Sequence, residues 1–176
     1  MLSKNKETVI VGLSGGVDSS VSALLLKQQG YRVVGVFMNN WDDSTSEQTQ
    51  CQSKQDWSDV ANVCARLDIP YYTFDFKKEY QEQVFKPFLR DIKDGKTPNP
   101  DTLCNKKIKF KVFFKKALSL GADYLATGHY CQTDGTNLYK GSDPNKDQSY
   151  FLYSIDGSVL KKVLFPIGGL NKTEVR

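Results

Sequence analysis

The chain is poor in the residues that build metal centres. Its 176 residues include one histidine and four cysteines, Cys51, Cys64, Cys104 and Cys131. No two cysteines form a CxxC pair, and no histidine lies near one at zinc-ligand spacing, which excludes the common structural zinc motifs. Without pairing partners the cysteines read as free thiols in a reducing compartment, each either inert packing or chemistry. No apolar run approaches the roughly eighteen residues that span a bilayer. The first eight residues are charged and lack an apolar stretch with a cleavage site, so they are no secretory signal. A cytoplasmic protein with no membrane partner is expected. Excess charge is also lacking: the formal net charge of +4 is too mild to imply nucleic acid by itself.

What is present is a globular balance, 39% hydrophobic and 25% charged, in a length that fits one domain or one domain with the start of another. The first half alternates strand and helix. Residues 8–13 are a short apolar run ending in a glycine turn. Residues 18–29 carry Val21, Leu24 and Leu25 at helical spacing, and 32–38 are β-branched. The polar stretch 39–54 predicts a surface loop. A helix is expected at 55–68, a strand at 71–76, and a helix over 77–93 kinked or interrupted at Pro87. A loop at 95–101 precedes a helix at 105–120, and a fourth strand follows at 123–127. Repeated β-α-β units predict an α/β fold, a doubly wound parallel sheet with helices on both faces. Beyond Gly128 the pattern weakens to a hairpin-like 131–140 and a capped helix start at 171–176. The expected division is one domain over 1–145 and, over 146–176, the start of a truncated second one.

The run Gly12-Leu13-Ser14-Gly15-Gly16-Val17-Asp18-Ser19 joins the first strand to the first helix. Glycines let the backbone approach phosphate, and the helix start offers unpaired N–H groups. Serine hydroxyls add donors, and Asp18 is a candidate to hold Mg²⁺ against phosphates. No Lys-Ser/Thr follows the glycines, so this is not a Walker A loop, nor is it GxGxxG. The SGGVDSS pattern resembles the PP-loop of the N-type ATP pyrophosphatases. That resemblance implies ATP held by its pyrophosphate end, cleavage between the α and β phosphates, and an adenylated substrate. Met38 after the second strand and Gly128 after the fourth fall on the same carboxyl edge of the sheet, where ligands of doubly wound folds sit. They are candidates to complete the nucleotide pocket, Met38 against adenine.

Two features in the middle stay open on local physics. Residues 106–116 hold six lysines and no acid, either a solvated helix face or a footprint for a phosphate backbone. Cys104 follows the rigid turn Pro98-Asn99-Pro100-Asp101 and precedes Lys106 and Lys107. Placed at a helix N-terminus beside those lysines, its thiolate is expected to be favoured, as a nucleophile requires, with Asp101 as acid, base or positioning group. The alternative is a buried inert thiol.

The segments GLSGGVDSS, GVFMNNW, TPNPDTLCNKKIKF, ATGHY and KDQSYFLY together resemble, in order and over nearly the whole chain, the tRNA-specific 2-thiouridylases, the MnmA/TrmU family. The resemblance implies ATP-dependent replacement of the C2 oxygen of the wobble uridine, in the tRNA anticodon loop, by sulfur from a persulfide-donor protein. It makes Cys104 the first catalytic cysteine. Asn99, Pro100 and Asp101 would contact the target uridine, and His129, Lys146, Asp147 and Gln148 the tRNA. Family members carry a second catalytic cysteine beyond the segment resembling 164–176, and Cys131 does not match its context. The chain is therefore expected to adenylate and bind tRNA while thiolating poorly. The competing expectations are another PP-loop adenylating enzyme, or a fragment that binds ATP or tRNA without turnover.

Overall fold

The computed structural model describes residues 6–40 and 47–176, with side chains described from 54 onward in the second stretch. Trp41 and the side chain of Cys51 lie outside the described residues, as does the 41–46 part of the expected loop. Five strands form one parallel sheet in the order β3-β2-β1-β4-β7: β1 Thr8–Leu13, β2 Arg32–Asn39, β3 Tyr71–Asp75, β4 Tyr124–Ala126 and β7 Val163–Leu164. Alternation along the strands sends side chains to two faces. Val9, Val11 and Leu13 of β1 pack with α1 (Val17–Gln28) and α2 (Glu47–Leu67), through Ala23, Leu26, Val60 and Cys64. Ile10 of β1 and Val36 of β2 face the other side, against Val84, Ile108, Phe110, Phe113 and Ala117. The doubly wound fold with two helical layers follows directly from that alternation.

The second layer is built from two long helical runs. The first comprises α3 (Lys77–Tyr80), a π-helical stretch Gln81–Phe85, and α4 (Lys86–Lys93). Pro87 therefore does not break the run. The wider turn just before it absorbs the ring and the missing N–H, and Pro87 sits in the first turn of α4, where proline is tolerated. The second run comprises α5 (Pro100–Cys104), a nine-residue π-helical stretch Asn105–Phe113, and α6 (Phe114–Ser119). It starts five residues before the expected position, because the Asn99 side chain caps it by accepting from the N–H groups of Asp101 and Thr102 at 2.9 and 3.2 Å. The polar stretch at 39–54 is likewise not all loop, since α2 is helical from Glu47.

Beyond β4 an antiparallel hairpin pairs β5 (Cys131–Thr133) with β6 (Leu138–Lys140). Residues 146–176 pack into the same unit. Strand β7 adds to the sheet beside β4, and α7 (Lys172–Val175) carries a capping box between Asn171 and Glu174. No helix among the described residues is long and apolar enough to cross a membrane.

Candidate active site

The strand order reverses between β1 and β4, so their carboxyl ends open the crevice where doubly wound sheets bind ligands. The loop after β1 fills it. Gly15 has φ +81°, and a Cβ there would lie 2.9 Å from the Asp56 carbonyl of α2, so only glycine lets the loop press so closely. Gly16 is the N-cap of α1 and no side chain caps that helix, which leaves its first-turn donors to an outside acceptor. The serines shape the loop. Ser19 Oγ accepts from the Ser14 N–H at 3.2 Å and donates to the Gly16 carbonyl at 3.1 Å, and Ser20 Oγ donates to the same carbonyl at 2.9 Å. Leu13 is buried and Gly12 lies against the Phe113 ring, so both contribute backbone alone. Val17, 42% exposed, stands at the loop's outer side.

Asp18 is held from two directions. Tyr130 donates its hydroxyl to Asp18 Oδ1 at 2.8 Å, and Lys172 Nζ donates to the same oxygen at 2.6 Å. Asp143 fixes the start of α7 by accepting from the Lys172 N–H at 3.0 Å. One oxygen of Asp18 is thus engaged, and among the described residues no group of three His, Cys, Asp or Glu side chains is placed to hold a metal. This donor set fits Mg²⁺ only as an ion carried on nucleotide phosphates, with Asp18 as its one protein ligand.

The segment after β4 closes against the loop. At Gly128 a Cβ would lie 2.7 Å from the Ser19 nitrogen and 2.9 Å from the Asp18 carbonyl carbon. The residue therefore permits contact with the first turn of α1. Met38, at the end of β2, packs against the core cluster that also receives Leu103 and Cys104. Next to Gly128, the His129 Nδ1 lies 2.8 Å from Thr127 Oγ1, and its ring packs on Phe110 and Phe165 with centroids 5.9 and 6.3 Å away. Burial, and then the Lys109 ammonium, pushes this imidazole well below its usual range, so it is neutral at physiological pH.

Cys104 is part-buried and occupies the fifth position of α5, in its second turn and not at the helix N-terminus. Burial pushes its thiol up. Lys109 pulls it down and Asp101 pushes it up again. This corrects the expectation of a favoured thiolate beside Lys106 and Lys107: the cation acting on the sulfur is Lys109, and desolvation outweighs it. Tyr80 joins this group from α3. Its hydroxyl is pushed up to about 12 by burial, then by Cys104 and Asp101. Cys64 and Cys131 are fully buried with their thiols pushed up by burial, which makes them packing residues.

The residues assigned to tRNA divide by what their side chains already do. Asn99 Oδ1 is engaged in the cap of α5, Pro100 occupies its first turn, and Asp101 is exposed. Asp147 Oδ1 accepts from the Gly141 and Ser149 N–H groups at 2.9 and 3.2 Å, and Gln148 Oε1 accepts from the Tyr130 N–H at 3.0 Å. These two hold the loop, whereas Lys146 is exposed. A groove of about 460 Å³ runs along the second helical run, lined by Lys106, Lys107, Lys111 and Lys115 over an apolar floor that includes Phe110, Phe114 and Val159. Another cavity, of about 760 Å³, lies around Lys27, Arg32 and Asp123 at the amino ends of the strands, away from this chemistry. Tyr80, Lys109, Tyr130, Asp143 and Lys172 were missed as site residues in the sequence. Lys109 carried no signal beyond membership of the lysine run.

Similarity to known proteins agrees with this geometry. The model of the tRNA methyl transferase HUP domain matches residues 7–176. The tRNA-specific 2-thiouridylase MnmA of Protochlamydia amoebophila is 57% identical over 98% of the chain, and the MnmA of Bacillus subtilis 57% over 96%. The chain spans about half the length of these curated relatives, 47% and 46%. A 4-thiouridine synthetase solved as an RNA complex with bound ATP shares the fold at a TM-score of 0.57 and 17% identity, covering 96% of this chain and 39% of that one. With its glycine loop at the switch point of the sheet and a family model matched over residues 7–176, the chain belongs to the tRNA methyl transferase HUP domain family.

Proposed function

We propose that this chain binds ATP in the crevice at the carboxyl ends of β1 and β4 and adenylates the wobble uridine of tRNA for 2-thiolation. The observation that carries the reading is the uncapped start of α1 behind Gly15 and Gly16, held in shape by Ser14, Ser19 and Ser20. Such a loop receives the pyrophosphate end of ATP through its N–H groups. Mg²⁺ on the phosphates, met by Asp18, would neutralise charge there.

The uridine C2 oxygen attacks the α-phosphorus. The bond from that phosphorus to the bridging oxygen breaks and pyrophosphate leaves. The uridine's N3 proton passes to Asp101, which is exposed at the start of α5. A second cysteine, charged as a persulfide by a donor protein, then adds its outer sulfur at C2, and AMP departs with the original oxygen. Attack of the Cys104 thiolate on that second cysteine's inner sulfur breaks the S–S bond. Sulfur stays on C2, N3 regains a proton, and Cys104 ends in a disulfide with the second cysteine. Cys64 and Cys131 take no part because both are fully buried. The target base would be splayed from the anticodon loop, with the lysine groove following the phosphates and Lys146, His129 and the PNPD turn nearby.

The test is exchange of labelled pyrophosphate into ATP. The chain is expected to catalyse exchange when tRNA bearing the wobble uridine is added, and not with a small carboxylic acid or amide. Exchange driven equally by a small acid would overturn the reading in favour of another adenylating enzyme. ATP and tRNA binding without any exchange would reduce it to a binding role.

A further inference from the structure

The lysines of the second helical run are not equivalent. Lys106, Lys107, Lys111 and Lys115 line the open groove, and Lys109 does not. Lys109 is also partly buried, as is Lys107 in the groove, whereas Lys106, Lys111, Lys115 and Lys116 are exposed. The helical register explains the separation. Cys104 is the residue immediately before the π-helical stretch, and Lys109 is the fifth residue after it. Five residues apart on an α-helix are about 140° apart around the axis. The i→i+5 closure of a π-helix instead brings the fifth residue back above the first. On the other side of Lys109 the ring of the next residue, Phe110, packs on His129 with centroids 5.9 Å apart.

We propose that Lys109 is the positioning residue of the Cys104 thiol, an ammonium turned inward by the π-helical register between Cys104 and His129 that pairs with the sulfur when it carries charge. Among the described residues, three groups are coupled to that sulfur through charge: Lys109 from the π-helical stretch, Asp101 from α5 and Tyr80 from α3. Lys109 is the one cation among them, so the sulfur depends on it for charge stabilisation in a partly buried setting. His129 stays neutral because burial, and then the same ammonium, disfavours its proton. The imidazole is thereby kept from competing for the sulfur as a second cation. The role of Cys104 as nucleophile rests on the proposed function, but the behaviour of its thiol does not.

The test follows carbamidomethylation of Cys104 by iodoacetamide in the intact chain. The Cys104 peptide is quantified by mass spectrometry between pH 6 and 10, with no ATP or tRNA present. Lys109→Gln is expected to move the midpoint of the rate profile upward by about one unit and to slow reaction at pH 7.5 by about tenfold. Lys109→Arg should restore the parent profile to within about threefold, because it returns the charge, whereas Lys116→Gln, at an exposed lysine outside the groove, should leave the profile in place. Circular dichroism checks the fold, and if Lys109→Gln unfolds, Lys109→Met, which keeps the apolar stem, is read instead. A Lys109 variant that is folded yet superimposes on the parent overturns the proposal, as does an equal shift from Lys116→Gln. Because no tRNA chemistry is involved, a negative result here and a negative exchange assay are separate outcomes.

Discussion

Lys172 Nζ lies 2.6 Å from Asp18 Oδ1, a contact between residues 154 positions apart that ties α7 to the first turn of α1. Tyr130 shares the same carboxylate oxygen at 2.8 Å, and the ammonium stands over the Tyr130 ring at 5.7 Å. The start of α1, behind the glycine loop, is therefore braced by residues distant in sequence. The pair is neither a fully wet surface bridge nor a dry one, with side-chain exposures of 18% and 33%.

Lys172→Met is accordingly expected to cost about 1–2 kcal/mol, between the values for exposed and buried pairs. A chemical denaturation series measures it. Asp18→Asn should lose a similar amount, and the double variant less than the sum, because both substitutions remove one interaction. Full additivity would show that the contact is not coupled in solution.

Gly128→Ala tests the closeness of the β4 segment to the loop. Its added methyl would meet backbone atoms of Asp18 and Ser19 at 2.7–3.0 Å, and these cannot swing aside as a side chain tip can. We expect a loss of about 1–3 kcal/mol and weaker ATP binding by isothermal titration, since the first turn of α1 must shift. Gly169→Ala, with nothing within 4 Å of the new methyl, is the control and should leave ATP binding unchanged.

Much of this was legible in the sequence. Periodicity and glycine placement read β1, α1 and β2 to within a residue or so, because a buried parallel strand and a two-layer helix leave strong local patterns. The glycine loop was legible for the same reason: it is a strand-to-helix joint, and its glycines mark it. The surroundings of Cys104 were not. Residues Pro98 to Cys104 carry two prolines' worth of turn signal, yet Asn99 caps a helix that begins at Pro100. Which lysine faces the sulfur was decided by a π-helical register that no hydrophobic period announces. That Asp147 and Gln148 bond to nearby backbone was not legible either, because a polar segment does not show where its side chains find partners. Strand β7, two residues long, is too short for any period.

His129 gives the fold a pH dependence that can be assigned, since it is the single histidine. Its imidazole is pushed well below its usual range in the folded chain by burial and Lys109. The unfolded chain binds a proton at about pH 6.5 and the folded chain does not. Stability from this group is therefore full above that pH and falls as pH drops, by up to about 1.4 kcal/mol per unit. Urea midpoints of the parent should decline from pH 7 to 5.5, while those of His129→Gln should stay nearly level over that range. Equal slopes for the two would place the titration elsewhere.

The lysine groove makes a prediction about salt. Lys107, Lys111 and Lys115 recur every four residues along the second helical run and line one side of the groove, so a phosphate chain laid along it would meet all three. Each phosphate neutralised releases condensed counterions, and the slope of log K against log salt records their number. Replacing all three with glutamine should lessen the slope for tRNA binding by about 2, at roughly 0.7 for each single-strand contact and somewhat more for a duplex stem. The loss should be similar for tRNAs with and without a wobble uridine, because phosphate contacts carry no sequence information. ATP titration should be unaffected, the phosphate loop being formed by other elements. Filter binding between 50 and 300 mM salt measures the slope, and an unchanged slope would mean that the groove faces away from the RNA.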